Sequence, residues 1–188
     1  MFDVPKDTSI QELLTQYGPK LVKESVEQQG RAEELKGTEF TLVIDVDGEK
    51  YSYVVKDGTD VSVGTDGDLN KAMVRYMITR NDLERMIANQ DLDMLLGIMA
   101  DLNKQKYQTL QGLKGTMTAE LSNDDGSNYV IKAAFNEADS PQATFKMKTE
   151  DSASLMRKES NPVNLFMSGA MKIEGDMAFA MATQPLFT

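Results

Sequence analysis

The chain has 188 residues, with 20 basic and 30 acidic side chains, a formal charge of −10, 13 Met and no Cys, His or Trp. The missing types exclude disulfides, thiolate nucleophiles, Ser-His-acid triads and imidazole metal ligands. Any chemistry would have to come from carboxylates, Lys, Tyr, Ser or a borrowed cofactor. An acidic balance (pI about 4.5) argues against a nucleic-acid partner, whose phosphates need cations, and against lasting residence on an anionic bilayer. The length suits one compact domain or two small ones.

Residues 8–29 read as helix. Thr8-x-x-Gln11 and Ser9-x-x-Glu12 have capping-box spacing, and Ile10, Leu13, Leu14, Tyr17, Leu21 and Val26 share a face. Gly18-Pro19 predicts a kink or a division into two helices. The period then becomes two. Phe40, Leu42, Ile44 and Val46 mark a strand, Asp47-Gly48 a hairpin turn, and Tyr51, Tyr53 and Val55 the return strand. Asp57-Gly58 turns again into Val61–Val63. Residues 64–70 carry loop chemistry, and Met73–Met77 form a fourth strand. A short helix capped near Thr79 or Asn81 carries Leu83, Met86 and Ile87. A longer one begins near Asp91 and keeps one apolar stripe, Leu92 to Leu110, as far as about Gln111.

The pattern then restarts. Lys114-Gly115-Thr116 echoes Lys36-Gly37-Thr38 at a shift of 78, and residues 36–54 and 114–132 share six identities in nineteen positions. At a shift of 70, Met77, Thr79 and Met86 meet Met147, Thr149 and Met156. The order of elements repeats as well, which reads as an internal duplication. The second copy ends differently. Asn161-Pro162 opens a short helix, Val163–Ser168, closed by Gly169. Met171-Lys172-Ile173 reads as a strand with Met171 and Ile173 inward. Gly175-Asp176 starts a final helix, Met177–Ala182, which is apolar on all sides and therefore needs cover.

The run Leu165 to Met181, through Lys172-Ile173-Glu174-Gly175-Asp176, resembles the C-terminal signature of the sterol carrier protein type 2 family. Ala143–Asp151 is similar to that family's strand running into a Thr-initiated helix. The hairpin at Asp47-Gly48, Lys56-Asp57-Gly58 and Ala72–Leu83 fit the family's earlier elements. The resemblance covers about 17–63, 72–98 and 113–182. It implies an α+β fold: a twisted, mostly antiparallel sheet covered by helices. It also implies an apolar tunnel that takes lipids, acyl chains or sterols. The chain departs from the family in carrying one and a half tandem units. Residues 1–112 form a half-unit without the last strand and helix. Residues 113–188 form a unit that borrows helix 92–111. Ala170 stands where members often carry Lys.

The resemblance places Phe145, Met147, Met156, Leu165, Phe166, Met171, Ile173, Met177 and Met181 on the wall of that tunnel. Methionine, flexible and polarizable, suits an adaptable cavity and equally suits ordinary gap-filling in a core. Tyr51, Tyr53, Tyr129 and Phe179 carry the same two readings. The Asp-rich turns, Asp66-Gly67-Asp68 among them, lack EF-hand spacing and read as hairpins, so no metal is expected. The acid pairs Asp82/Glu84 and Glu33/Glu34, flanked by Arg, read as solvated faces, and no phosphate cradle is present.

The expected protein is a non-enzymatic carrier of a hydrophobic small molecule, without cofactor. Each buried methylene returns about 0.8 kcal/mol, so an acyl chain needs no catalytic group to hold it. Two other expectations stand beside it: a duplicated interaction module whose halves fill the cavity, and an accessory domain for an acyl-handling enzyme. The acidic opening residues and the absence of a long apolar run predict a cytoplasmic protein without stable membrane insertion.

Overall fold

A computed structural model describes residues 4–65 and 71–188. The expected loop at 64–70, with Asp66-Gly67-Asp68, falls almost wholly outside them. The N-terminal helical segment begins with α1 (Ile10–Glu12), where Ser9 and Glu12 close a capping box. It passes through a π-helical turn at Leu13–Tyr17 and continues as α2 (Gly18–Gln28). The chain therefore does not divide at Gly18-Pro19. Gly18 donates to the Leu13 carbonyl, five residues back. The next π partner, for Leu14, would be the nitrogen of Pro19, which carries no hydrogen. The buried hydroxyl of Tyr53 donates to the Leu14 carbonyl instead. A π turn adds a residue to the helical repeat, so the stripe slips by one and buries Val22 in place of Leu21.

The first strands are β1 (Glu39–Val46), β2 (Glu49–Lys56), β3 (Asp60–Gly64) and β4 (Val74–Ile78). The β1–β2 turn places both Asp47 and Gly48 at positive φ, 51° and 93°, as a two-residue turn of right-handed twist requires. The Asp45 carboxylate accepts from the Gly48 amide at 2.7 Å, so this acidic turn satisfies itself. Helix α3 (Arg80–Asn89) starts at Thr79, whose hydroxyl accepts from the Asp82 amide.

The long helix expected from Asp91 to Gln111 is two helices, α4 (Asp93–Ala100) and α5 (Lys104–Gly112). Asn103 interrupts it: in an extended conformation, its side chain caps α5 by accepting from the Lys106 amide at 2.8 Å. All eight residues of α4 are buried, which is why no stripe distinguishes it.

The second series is β5 (Gly115–Ser122), β6 (Asn128–Phe135), β7 (Gln142–Lys148), α6 (Thr149–Met156), α7 (Pro162–Ser168), β8 (Lys172–Gly175) and α8 (Met177–Thr183), followed by a 3₁₀ turn at Gln184–Phe187. All eight strands form one mixed sheet in the order β3-β2-β1-β4-β6-β5-β7-β8. Two pairings are parallel, β1 with β4 and β5 with β7, and the other five are antiparallel. Each half thus builds the same arrangement: a hairpin, a parallel strand on the far side of its first strand, then a helix begun at or just after a Thr. The halves join where β4 pairs antiparallel with β6, from Val74–Phe135 to Met77–Lys132. The expected boundary at 112/113 falls between α5 and β5.

Alternate residues of the strands bury one face of the sheet: Phe40, Leu42 and Ile44 on β1, Tyr51 and Tyr53 on β2, Tyr129 and Ile131 on β6. Tyr51, Tyr53, Tyr129 and Phe135 are core side chains.

Candidate functional site

On the C-terminal side of the sheet the side chains do not fill the space. A cavity of about 260 Å³ lies between the strands and the helices that close the chain. Its floor is Met117 and Ala119 from β5, Phe145 and Met147 from β7, and Met171 and Ile173 leading into and along β8. Phe145 and Ile173 are direct partners across the β7–β8 ladder, so period two brings both to the same wall. The roof is Met94 of α4, Leu155 of α6, Pro162, Val163, Phe166 and Met167 of α7, and Met177, Ala180, Met181 and Thr183 of α8, with Gln184 and Phe187 beyond.

Local chemistry fixes both roof helices. The Asn161 side chain accepts from the Asn164 amide at 2.8 Å, Pro162 takes the first helical position, and Gly169 (φ 78°) ends α7. Asp176 accepts from the Phe179 amide at 2.8 Å and so starts α8. Phe179 then turns away from the cavity and packs against Phe135, ring centroids 6.3 Å apart. It lies where Gly115 lacks a side chain. A Cβ there would stand 2.7 Å from the Phe179 ring, and the φ of +131° already disfavours one.

Seven of the nine residues expected on the wall are there: Phe145, Met147, Phe166, Met171, Ile173, Met177 and Met181. Met156 and Leu165 are not. Met156, the last residue of α6, sits over Gly97 of α4, and its neighbour Leu155 faces the cavity instead. Leu165 is buried in the core and is not on the cavity wall. The final helix is not covered on all sides: Met177 and Met181 are 45% and 55% exposed, beside Val163 (48%), Phe166 (43%) and Met167 (78%). These five also line the cavity, so the uncovered apolar surface is its rim. Sequence reading missed the other eleven described lining residues, among them Met94, Met117, Ala119, Ala180, Gln184 and Phe187. Period two on β5 marks Met117 and Ala119, but nothing in the sequence aims the terminal 3₁₀ turn at them.

Among the described residues no ionisable side chain lines the cavity. None occurs at all in 161–171 or 177–188, although the chain is 27% charged. Wider clefts, the two widest of those described at about 480 and 550 Å³, are lined largely by charged and polar groups. Beside the packed Met156, Asp101 binds Arg31 (2.8 Å), Lys106 (2.5 Å) and Lys158 (3.0 Å). Burial raises the Asp101 carboxyl, but hydrogen bonds from Lys106, Lys158 and Arg31 outweigh it and hold the group below the usual range. On Lys106 burial wins and lowers the amine, because its one anion is shared with two other cations that repel it. Among the described residues no helix is long and apolar enough to cross a membrane.

Residues 97–188, from the middle of α4 to the last residue, match the model of the SCP-2 sterol transfer family. The resemblance read from Leu165–Met181 thus falls within the matched residues. No curated protein matches the chain. Similar solved structures include the sterol carrier protein domain 2 of Helicoverpa armigera (15% identity, TM-score 0.24, 95% of this chain and 89% of that one). Sterol carrier protein 2 from Yarrowia lipolytica in its apo form is another (11%, 0.25, 95% and 93%). A third is a UbiJ-SCP2 ubiquinone synthesis protein (12%, 0.27, 96% and 93%).

Proposed function

We propose that the protein binds and carries a hydrophobic small molecule of the lipid class, held in the cavity between β5, β7, β8 and helices α7 and α8, with no chemistry of its own. The observation that carries this reading is the lining: an unfilled space bounded almost wholly by apolar atoms, with an apolar rim open to solvent. Seven of the 13 Met (94, 117, 147, 167, 171, 177 and 181) stand on it, and their three rotatable bonds let the walls follow a ligand's shape. A volume of about 260 Å³ falls just below the range of ordinary ligand pockets, so the site takes one chain or ring system with its end at the rim. The match of this half to a sterol transfer family supports the same conclusion. The recurrence of hairpin, parallel strand and helix supports one and a half tandem units, of which the second holds the ligand.

The test is native mass spectrometry after incubation with mixed-lipid vesicles, on the wild type and on Ala180→Phe, which places a ring in the cavity. The expected result is a lipid adduct on the wild type and none on a folded Ala180→Phe protein. A wild type that stays empty overturns the reading.

A further inference from the structure

We infer that the cavity selects uncharged lipids over carboxylates, and that the side-chain amide of Gln184 meets the ligand's polar group. This rests on the reading of the cavity as a lipid site. Among the described residues only two polar ones line it, Thr183 and Gln184. Thr183 is fully buried and its hydroxyl is spent, donating to the Ala180 carbonyl at 2.7 Å. Gln184 opens the terminal 3₁₀ turn and is half-buried. Among the described residues its side chain makes no hydrogen bond.

A primary amide offers two donors and one acceptor, which matches a hydroxyl, an ester or a ketone. It offers no charge. A desolvated carboxylate needs a cation or several converging donors, and otherwise it takes up a proton or stays in water. None of the 20 Lys and Arg lines the cavity, and none lies in 161–171 or 177–188, the two segments that carry its rim. A fatty acid would therefore have to keep its head in water beyond the rim and draw its chain outward with it. A neutral lipid of equal length can bring its polar end to Gln184.

The experiment titrates the intact protein, loaded with an environment-sensitive apolar dye, with hexadecanol and with hexadecanoic acid at neutral pH. The alcohol is expected to displace the dye at least about tenfold more tightly than the acid. With each affinity corrected for the variant's own dye affinity, Gln184→Leu is expected to weaken the alcohol about fivefold, and Gln184→Lys to reverse the order of alcohol and acid. Circular dichroism checks that each variant folds. If Gln184→Lys does not, the wild-type pair and Gln184→Leu decide. Equal or tighter binding of the acid by the wild type overturns the selection while leaving a lipid site standing. Unchanged alcohol affinity in Gln184→Leu removes the role of Gln184. If neither lipid displaces the dye, the carrier reading falls along with the inference built on it.

Discussion

Met156 lies over the bare α-carbon of Gly97, so close that a methyl there would stand 2.6 Å from its sulfur and 3.2 Å from its own Cβ. Helices α4 and α6 meet through this contact. Gly→Ala inside a helix is ordinarily worth about 1 kcal/mol of stability. Here the Sδ and Cγ of Met156 can swing aside but its Cβ, at 3.2 Å, moves only with the backbone, and overpacking costs about 1–3 kcal/mol. Gly97→Ala should therefore destabilise the wild type, by up to about 2 kcal/mol. In a Met156→Ala background the clash is gone and the same substitution should stabilise. Urea midpoints for the four proteins of the cycle check this; the same sign in both backgrounds would refute it.

The hydroxyl of Tyr53 replaces a donor that Pro19 cannot supply to Leu14. Tyr53→Phe leaves that buried carbonyl without a partner and should cost about 1–3 kcal/mol. Pro19→Ala restores an amide hydrogen at the π turn. It should recover about 1 kcal/mol more in the Tyr53→Phe protein than in the wild type. Thermal unfolding of the double-mutant cycle measures the coupling, and additive effects would disprove the exchange of donors.

Asp101 gathers Arg31, Lys106 and Lys158 from three parts of the chain. Asp101→Asn strands Lys106, which is 3% exposed, as a buried cation, and should cost about 3–5 kcal/mol. Lys106→Met on top of it should recover part of the loss. The pH dependence follows from the direction of the shift. The folded carboxyl lies below its unfolded value of about 3.9, so its stabilisation is complete above that pH. It is lost as pH falls through the folded value. The stability gap between wild type and Asp101→Asn should thus be constant near neutrality and narrow below about pH 4. Denaturant titrations across that range would contradict the account if the gap widened.

Much of the fold was legible because short-range chemistry dictated it. Asp47-Gly48 and Asp57-Gly58 can hardly do other than turn, the alternation on either side needs a half-buried sheet, and Thr79 and Asn161 announce their helices. The errors arose where the deciding partner is distant. Nothing near Gly18-Pro19 reveals that Tyr53, 35 residues further on, will keep the helix whole. Between 92 and 102 every apolar residue is buried, so periodicity carried no phase, and the cap at Asn103 was the better signal. On the candidate site, β7 and β8 were readable because period two fixes which side chains face together. α6 was read one residue out of phase, with Met156 chosen for Leu155. Helix α8 was expected to be enclosed, since no rule of patterning anticipates an apolar rim left open.

The ladder between β4 and β6 has one more consequence. It makes β6 an interior strand, so the half with the cavity has no finished border on that side. Cutting the polypeptide ahead of β5 would bare a row of amide and carbonyl groups from Lys132 to Phe135, an invitation to pair with other chains. The N-terminal half therefore serves its partner as a border guard, whatever else it does.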